Sequence, residues 1–580
     1  MKKTETKIVW LALNAKYSHT SLAIRYLREA CRGLGKQELL ELTINHQLLD
    51  ILGQVYKSRP DILSISCYIW NIELVKQLLP LLAKVLPETV IICGGPEVSY
   101  DTAAFMQEFP QVDYVQRGEG EEVMPWLIKN ISEKRKLDGV VPGLAYRQAG
   151  EIVLGRDVTV LEMSRVPFPY LAEEMADIKE RILYYETSRG CPFSCAYCLS
   201  CATKGVRYLP WERVREELDF FVRHDVRQVK FVDRTFNANK KHFVPILQYL
   251  LALPPECRTN FHFEIAIDYL DEEVTSLLAK LPKGRVQLEV GIQSTNEASL
   301  KAIRRHNDWA KIASNVQRIS AVGNIHVHVD LIIGLPEEDL ASFAKSFNDV
   351  YQLHADQLQL GFLKFLRGAA MMSMVKEGEY LYMDSAPYEI LANKWLTYGE
   401  ISWLKIFEQV FELYANAHRC QRTIAYLMEY YTAGNAFNFY RDFTDYWLAK
   451  GYEKIAHKTS SLYGYLLDFA VTKYGAAPEV ADALLRFDAL LSDGGRIRPE
   501  ELKWTGKELH PVINEFWKSG RAKDYLPDFV FTNWRAIRLK YHIEIFAYDV
   551  INIKNITEKQ VLLFEYGRDA VKWQPISLKI

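Results

Sequence analysis

Cys191, Cys195 and Cys198 stand at C-x3-C-x2-C spacing in YYETSRGCPFSCAYC, directly after a stretch that reads as a strand. Thiolates are soft ligands suited to iron–sulfur clusters, and three of them on a four-iron (4Fe-4S) cluster leave one iron open. An open iron can chelate the amino and carboxylate groups of a small molecule, much as an open zinc position accepts water. Gly190 and Pro192 suit a tight loop, and Tyr197 sets an aromatic ring between the last two thiols. Four of the nine cysteines fall between Cys191 and Cys201, and in a reducing compartment such clustering indicates metal or redox chemistry rather than disulfides. Cys201 follows Cys198 at a further x2 spacing. A structural zinc site or a fully ligated electron-transfer cluster therefore also fits, and a fourth thiolate would close the open position.

The elements that must carry this loop are legible around it. ILYYETS, QVKFVD, FHFEIAI, RVQLEVG, HVHVDLIIG and DQLQLGFL read as six strands, with helical stretches between them such as Trp211 to Arg223 and Lys240 to Leu251. Repeated strand–helix units predict a barrel or part of one over residues 181–370, with the chemistry at the carboxyl ends of the strands. Ahead of it, KIVWLALN, LLELTI, DILSISCYI, ETVIICGG and VDYVQRG alternate with helices over residues 1–140. Continuous apolar strands of this kind predict a parallel, doubly wound sheet of five strands covered on both faces. Residues 141–180 hold LAYRQAGEIVLG, a hairpin turning near Gly150, and the linker SRVPFPY. Residues 371–580 are rich in aromatics at mostly helical spacing, with YHIEIFAYDV and QVLLFEYG as strand candidates near the end.

The central segment resembles the radical S-adenosylmethionine (radical SAM) superfamily over roughly residues 181–367, through several separated motifs. The cysteine loop is the most specific. FVDRTFNAN is similar to the segment that positions the methionine moiety, with Asp233 in the acidic place and Asn237 near its end. FHFEIAIDYL carries Glu264 and Asp268, which resemble ribose-side contacts. LEVGIQSTNEASLKAIRR is similar to the fourth-strand motif, where Gly291 allows close backbone approach and Gln293 and Ser294 offer polar contacts. VDLIIGLPEED resembles the fifth-strand motif, where backbone meets the adenine and Gly334 and Pro336 break the strand. The resemblance implies a 4Fe-4S cluster on the three cysteines. With S-adenosylmethionine as cosubstrate, the reduced cluster splits the sulfonium to methionine and a 5′-deoxyadenosyl radical. Iron–sulfur potentials reach roughly −700 mV, depending on environment, so a low-potential donor such as flavodoxin or ferredoxin is implied.

A doubly wound sheet ahead of such a domain resembles the cobalamin-binding subfamily, over residues 7 to about 130. Ser64 and Ser66 at the third strand, and Gly94 and Gly95 after the fourth, match positions where small residues make room for the cobalamin tail. Gly118, Glu119 and Gly120 in YVQRGEGEEVMPWL are similar to a segment after the fifth strand, and since ligands of open α/β sheets sit at these strand ends, the resemblance implies Glu119 as a cofactor-binding residue. The D-x-H-x-x-G motif of many cobalamin domains is absent; the first loop reads NAKYSHTSLA, with His19 at a different spacing. The resemblance is to a branch with its own C-terminal domain, expected to hold substrate determinants.

The function this implies is cobalamin-dependent methylation of an unactivated carbon. The same scaffold also resembles enzymes that cyclise or rearrange without methyl transfer. An RNA-modifying methylthiotransferase would bring a second cluster, but Cys31, Cys67 and Cys93 fall on strands and helices rather than in clustered loops. A non-catalytic cobalamin and cluster sensor is a further alternative. Lys364 and Arg367, leading out of the barrel, face either substrate or solvent. The charge is balanced, 71 basic against 73 acidic residues for a net −2, which gives no clear nucleic-acid patch. No apolar run approaches the ~20 residues of a membrane span, and MKKTETKIVWLALN lacks a signal-peptide cleavage site, so the reading is cytoplasmic.

Overall fold

The computed structural model describes residues 5–155, 161–202, 205–567 and 571–578, without the side chains of Cys201, Ala202 and Asp493. The chain divides between Ile401 and Ser402 into two compact units.

In the first unit, β1 (Lys7–Asn14), β2 (Lys36–Thr43), β3 (Ile62–Ser66), β4 (Val90–Gly94) and β5 (Tyr114–Gln116) pair in parallel in the order β2-β1-β3-β4-β5. Both faces are buried, which explains the unbroken apolar runs. Val9, Leu11 and Leu13 pack with Ile51, Val55 and Val75 of two helices on one side. Ile8, Trp10 and Ala12 pack with Ile24, Leu127 and Ile128 on the other. The sheet has seven strands rather than five. The hairpin, β6 (Leu144–Gln148) and β7 (Glu151–Leu154), adds antiparallel to β5. Leu144, Ala145 and Tyr146 are buried there, so the hairpin covers an otherwise open sheet edge.

The second sheet begins at β8 (Ile182–Tyr185). A two-stranded ribbon follows, β9 (Ser188–Arg189) with β10 (Arg207–Tyr208). Then come β11 (Gln228–Phe231), β12 (Asn260–Ile265), β13 (Val286–Gln293), β14 (His326–Ile333) and β15 (Gln357–Phe362). These six main strands are all parallel and lie in sequence order, with β8 and β15 at the two edges. That is the expected open (β/α)6 half-barrel. Its helices start cleanly because Asn239, Asp271, Asp308 and Asp339 each accept a backbone N–H of the first turn. Lys230 on β11 and Glu289 on β13 reach across β12, with Nζ and Oε2 meeting at 2.9 Å.

The N-terminal sheet covers the open edge. Ile182 donates its N–H to Ser18 O at 2.7 Å, and Thr20 donates to Ile182 O at 3.3 Å, so the loop carrying His19 lies along β8. After β15 the chain returns to the first sheet through β16 (Leu381–Tyr382) and β17 (Ile390–Ala392). Tyr388 Oη donates to Glu97 Oε2 at 2.7 Å and Arg367 Nη1 lies 3.3 Å from Asp101 Oδ2. Arg367 is thus engaged by the first sheet's helices. These contacts carry the first unit past residue 370 to Ile401.

The second unit packs the helices Gln421–Thr432, Ala436–Ala449, Thr459–Tyr474 and Pro478–Leu491 with an antiparallel sheet, β18 (Tyr541–Asp549), β19 (Lys554–Tyr566) and β20 (Val571–Pro575). Its aromatic run is core, since Tyr440, Phe443, Trp447, Tyr463 and Phe469 are fully buried. Among the described residues, no helix is long and apolar enough to cross a membrane.

Candidate cofactor-binding active site

The cysteine loop hangs between the strands of the β9–β10 ribbon, where Arg189 stands opposite Arg207 and Ser188 opposite Tyr208. Gly190 turns the chain into the loop at φ +104; an added Cβ would lie 2.1 Å from Gly205 O, so only glycine fits. Behind the ribbon, Asp233 at the end of β11 is fully buried. Its carboxylate accepts from Thr187 N (2.9 Å), Thr187 Oγ1 (2.7 Å) and Ser188 Oγ (2.5 Å). Burial raises its pKa against the pull of these donors. Asp233 therefore ties the approach to Cys191 to the neighbouring strand. Asn237 does the same one strand further on, exchanging two bonds with the backbone of Ala266.

Each thiol has a polar neighbour. Thr235 Oγ1 lies 3.5 Å from Cys191 Sγ, Arg305 Nη1 3.7 Å from Cys195 Sγ, and Ser200 N 3.3 Å from Cys198 Sγ. The backbone fixes the loop as well, with Ala196 N donating to Ile303 O and Met371 N donating to Ala196 O. Polar groups packed around metal-binding thiolates orient them and tune the cluster they bind. Three thiols on one loop past the end of β8, with polar groups beside them, suit a 4Fe-4S cluster, which Cys191, Cys195 and Cys198 would hold.

The carboxyl ends of β13 and β14 are irregular where a nucleoside would need close backbone. A bulge separates Gly291 from Gln293, and Gln293 sits at φ +71, uncommon outside glycine. An added Cβ on Gly291 would lie 2.2 Å from Gln293 Nε2. Gly334 has φ +93, and its carbonyl accepts from Asn393 Nδ2 at 3.0 Å. Ser294 is buried on the helix side, donating to Glu338 Oε1 at 2.6 Å. Burial pushes the Glu338 carboxyl up to about 7.

One face of this sheet is charged. Lys230 Nζ and His262 Nε2 reach Glu289 Oε2 at 2.9 and 3.0 Å. Although burial opposes it, the imidazole of His262 and the charge of Lys230 hold Glu289 down to about 2. Burial and the nearby Glu289 push Glu264 up to about 7. His328 Nε2 stands 2.9 Å from Asp330 Oδ1. Glu289, His328 and Asp330 bring one ligand atom each within 4.8 Å of one another. A metal ion there would compete with Lys230 for Glu289. Asp268 lies nearer the loop, accepting from Asp308 N at 3.4 Å.

At the first sheet's carboxyl edge, Ser66 pairs with Gly94 across β3 and β4, and Ser64 and Ser66 are buried. Gly95 has φ +110, and an added Cβ would lie 2.4 Å from Cys67 O. Trp70, 44 % exposed, stacks on Tyr68 at a 4.5 Å centroid distance, and its Nε1 donates to Leu13 O at 3.1 Å. The exposed Trp70 ring gives this edge a flat apolar surface of the kind a large planar cofactor stacks on. His19 is engaged elsewhere, with Nδ1 2.7 Å from Tyr184 Oη on β8.

Glu119 joins the two halves. It receives two bonds from the Arg207 guanidinium and lies 3.5 Å from Arg189 Nη1. Burial opposes its ionisation, but Arg207 and Arg189 hold it below its ordinary value. Arg305, Tyr68 and Trp70 were not singled out by sequence reasoning. Arg305 closes the quoted fourth-strand motif, but nothing local shows where its side chain turns.

Family models match three segments: a B12-binding domain over residues 8–128, the radical SAM superfamily over 185–350, and a protein family of unknown function (DUF4080) over 376–564. The chain is 31 % identical over 300 residues to the cobalamin-dependent radical SAM methyltransferase TokK of Streptomyces tokunonensis. It is 30 % identical over 308 residues to 2-(S-pantetheinyl)-carbapenam-3-carboxylate methyltransferase of Streptantibioticus cattleyicolor. Each match covers 49 % of this chain and 44 % of the relative, so the chain spans under half the length of these curated relatives. In fold it resembles the cobalamin-dependent S-adenosylmethionine radical enzyme OxsB, solved with aqua-cobalamin and S-adenosylmethionine bound. That likeness has a TM-score of 0.56 at 15 % identity, over 93 % of this chain and 83 % of that one.

Proposed function

We propose that this chain, which joins a B12-binding domain to a radical SAM domain and so belongs with the cobalamin-binding radical SAM proteins, is an enzyme that methylates an unactivated carbon. The observation that supports this reading is one compact unit that joins a B12-binding sheet to a radical SAM half-barrel, with the three-cysteine loop following the carboxyl end of the half-barrel's first strand. When bound, the reduced cluster supplies the electron that splits S-adenosylmethionine to methionine and a hydrogen-abstracting radical, and cobalamin supplies the methyl group.

The protein's own groups bind and orient. Cys191, Cys195 and Cys198 hold the cluster, and Asp233 fixes the backbone ahead of the first of them. Gly291, Gln293 and Gly334 present backbone to the nucleoside, with Glu264 on the ribose side and Ser294 bracing the turn from behind. Ser64, Ser66, Gly94 and Gly95 shape the strand ends against which the cobalamin tail lies. The pre-paired Lys230, His262 and Glu289 give the charged face of the half-barrel sheet fixed dipoles, so little reorganisation is needed there. Residues 371–580 hold substrate determinants, and a low-potential donor such as flavodoxin or ferredoxin delivers the electron.

The test is an anaerobic comparison of metabolites in deletion and wild-type cells fed methyl-deuterated methionine. A product missing from the deletion strain, one CH2 unit heavier than its precursor and carrying deuterium, is expected. A product of unchanged carbon count would replace methylation with cyclisation or rearrangement.

A further inference from the structure

We infer that Glu119 of the B12-binding domain is a positioning residue for the cysteine loop, locking the loop's two ends together across the domain boundary. The inference rests on the reading that the three cysteines hold a cluster.

The loop begins after Arg189 and ends at Arg207, which pair across the ribbon. One carboxylate serves both. Glu119 Oε1 accepts from Arg207 Nη2, while Oε2 accepts from Arg207 Nη1 at 3.1 Å and lies 3.5 Å from Arg189 Nη1. Two more carboxylates complete the set, Glu121 at 2.5 Å and Glu186 at 2.6 Å from Arg189 Nη2. Every charged side chain here is mostly buried, from 7 % to 22 % exposed. In such surroundings, removing one partner leaves its counter-charge desolvated and unpaired, so the pair is kept or lost as a unit.

The partners come from different domains. Glu119 lies between Gly118, at φ +74, and Gly120, just past the carboxyl end of β5. An added Cβ on Gly120 would lie 2.8 Å from Leu27 Cδ2 and 3.0 Å from Gln116, so this turn packs tightly on its own sheet. Oε2 also accepts from Leu161 N at 3.1 Å, and Arg207 Nη1 donates to Leu161 O. The carboxylate is therefore committed to the ribbon and the connecting chain. The charge placed on Glu119 by the B12-binding turn is spent on the cluster loop.

The experiment uses the full chain, reconstituted anaerobically, with Glu119→Ala, Glu119→Gln and Arg207→Met. Three properties are read: loss of iron to a chelator over time, the electron paramagnetic resonance (EPR) signal of the reduced cluster with and without S-adenosylmethionine, and hydroxocobalamin bound per chain. For Glu119→Ala and Arg207→Met, iron loss about 10-fold faster is expected, the scale seen when a metal ligand's outer partner is removed. The EPR signal should broaden, and cobalamin stoichiometry should stay at the wild-type level. Glu119→Gln keeps an acceptor for Arg207 and should fall between. Wild-type iron retention and EPR in Arg207→Met would overturn the inference, even if Glu119→Ala fails to fold. So would loss of cobalamin with an unchanged cluster in Glu119→Ala, which would make Glu119 a cofactor contact. A wild-type chain that takes up no cluster would instead overturn the underlying reading.

Discussion

Arg305 points its guanidinium at Cys195, Nη1 to Sγ 3.7 Å, from the loop after the short helix Glu297–Ala302 that follows β13. The same group lies 3.5 Å from Tyr197 Oη and donates to Gly291 O. One cation therefore ties the cysteine loop to the bulged strand end where the nucleoside is proposed to sit. A positive charge beside a cluster ligand favours the reduced, more negative state. Replacing Arg305 with Met should lower the cluster's midpoint potential. A hydrogen bond to a charged group is worth about 1.5–3 kcal/mol, and a tenfold change in a one-electron equilibrium is about 59 mV. Partial solvent access reduces the effect, so a drop of tens of millivolts is expected. Arg305→Lys should recover part of it. EPR-monitored redox titration without S-adenosylmethionine measures this, and an unchanged potential in Arg305→Met would exclude electrostatic tuning.

Cys201 and Cys191 make a paired prediction. If three thiolates are the ligands, Cys191→Ala loses the 4Fe-4S cluster, while Cys201→Ala keeps full iron and sulfide content. The reduced cluster of Cys201→Ala should still change its EPR spectrum on adding S-adenosylmethionine. Loss of iron in Cys201→Ala comparable to that in Cys191→Ala would make the site a four-thiolate one and remove the open iron.

Glu338 gives a pH prediction with a definite sign. Burial raises its carboxyl to about 7 in the folded chain from the ordinary 4.5. A raised folded value means the associated stability is fully present below about 4.5 and is lost as pH rises through about 7. The shift corresponds to roughly 3 kcal/mol at about 1.4 kcal/mol per unit. Glu338→Gln can still accept from Ser294 and Ser346, so it should flatten the fall in stability of the first unit between pH 5 and pH 8. Denaturant unfolding followed at both pH values tests this. An equally steep fall in the variant would mean another group titrates.

The sequence made the parallel strands legible because each carries its own signal: KIVWLALN is apolar throughout because both faces of β1 are buried. The hairpin near Gly150 was equally visible, but its pairing with β5 was not, since nothing local distinguishes a free hairpin from one that closes a sheet edge. Site residues divide the same way. Asp233 stands out as an acid at a strand end, yet its partners Thr187 and Ser188 lie 46 and 45 residues away. Glu119 could be read as polar and flanked by glycines, but its two arginines belong to another domain. Residue types and spacing expose the ligands. The groups that hold them are set by long-range packing, which a single chain does not display.

Gly95 tests the B12-binding edge. Its φ of +110 is strained for any residue with a side chain, and an added Cβ would sit 2.4 Å from Cys67 O. That contact is with backbone, so no rotamer change relieves it. The backbone there is already fixed, because Cys67 N donates to Gly94 O at 2.7 Å, joining the end of β3 to the end of β4. Gly95→Ala must therefore separate the two strand ends that carry Ser66 and Gly94. Positive-φ strain of this kind costs on the order of 1–3 kcal/mol, and the steric clash adds to it. Hydroxocobalamin titrated into the anaerobic variant should bind at least about 10-fold more weakly, the equivalent of about 1.4 kcal/mol. The cluster on the other sheet should keep its iron content and EPR signal. Wild-type cobalamin affinity in Gly95→Ala would show that the cofactor does not use this edge. Parallel loss of cobalamin and cluster would show instead that the substitution unfolds the first unit.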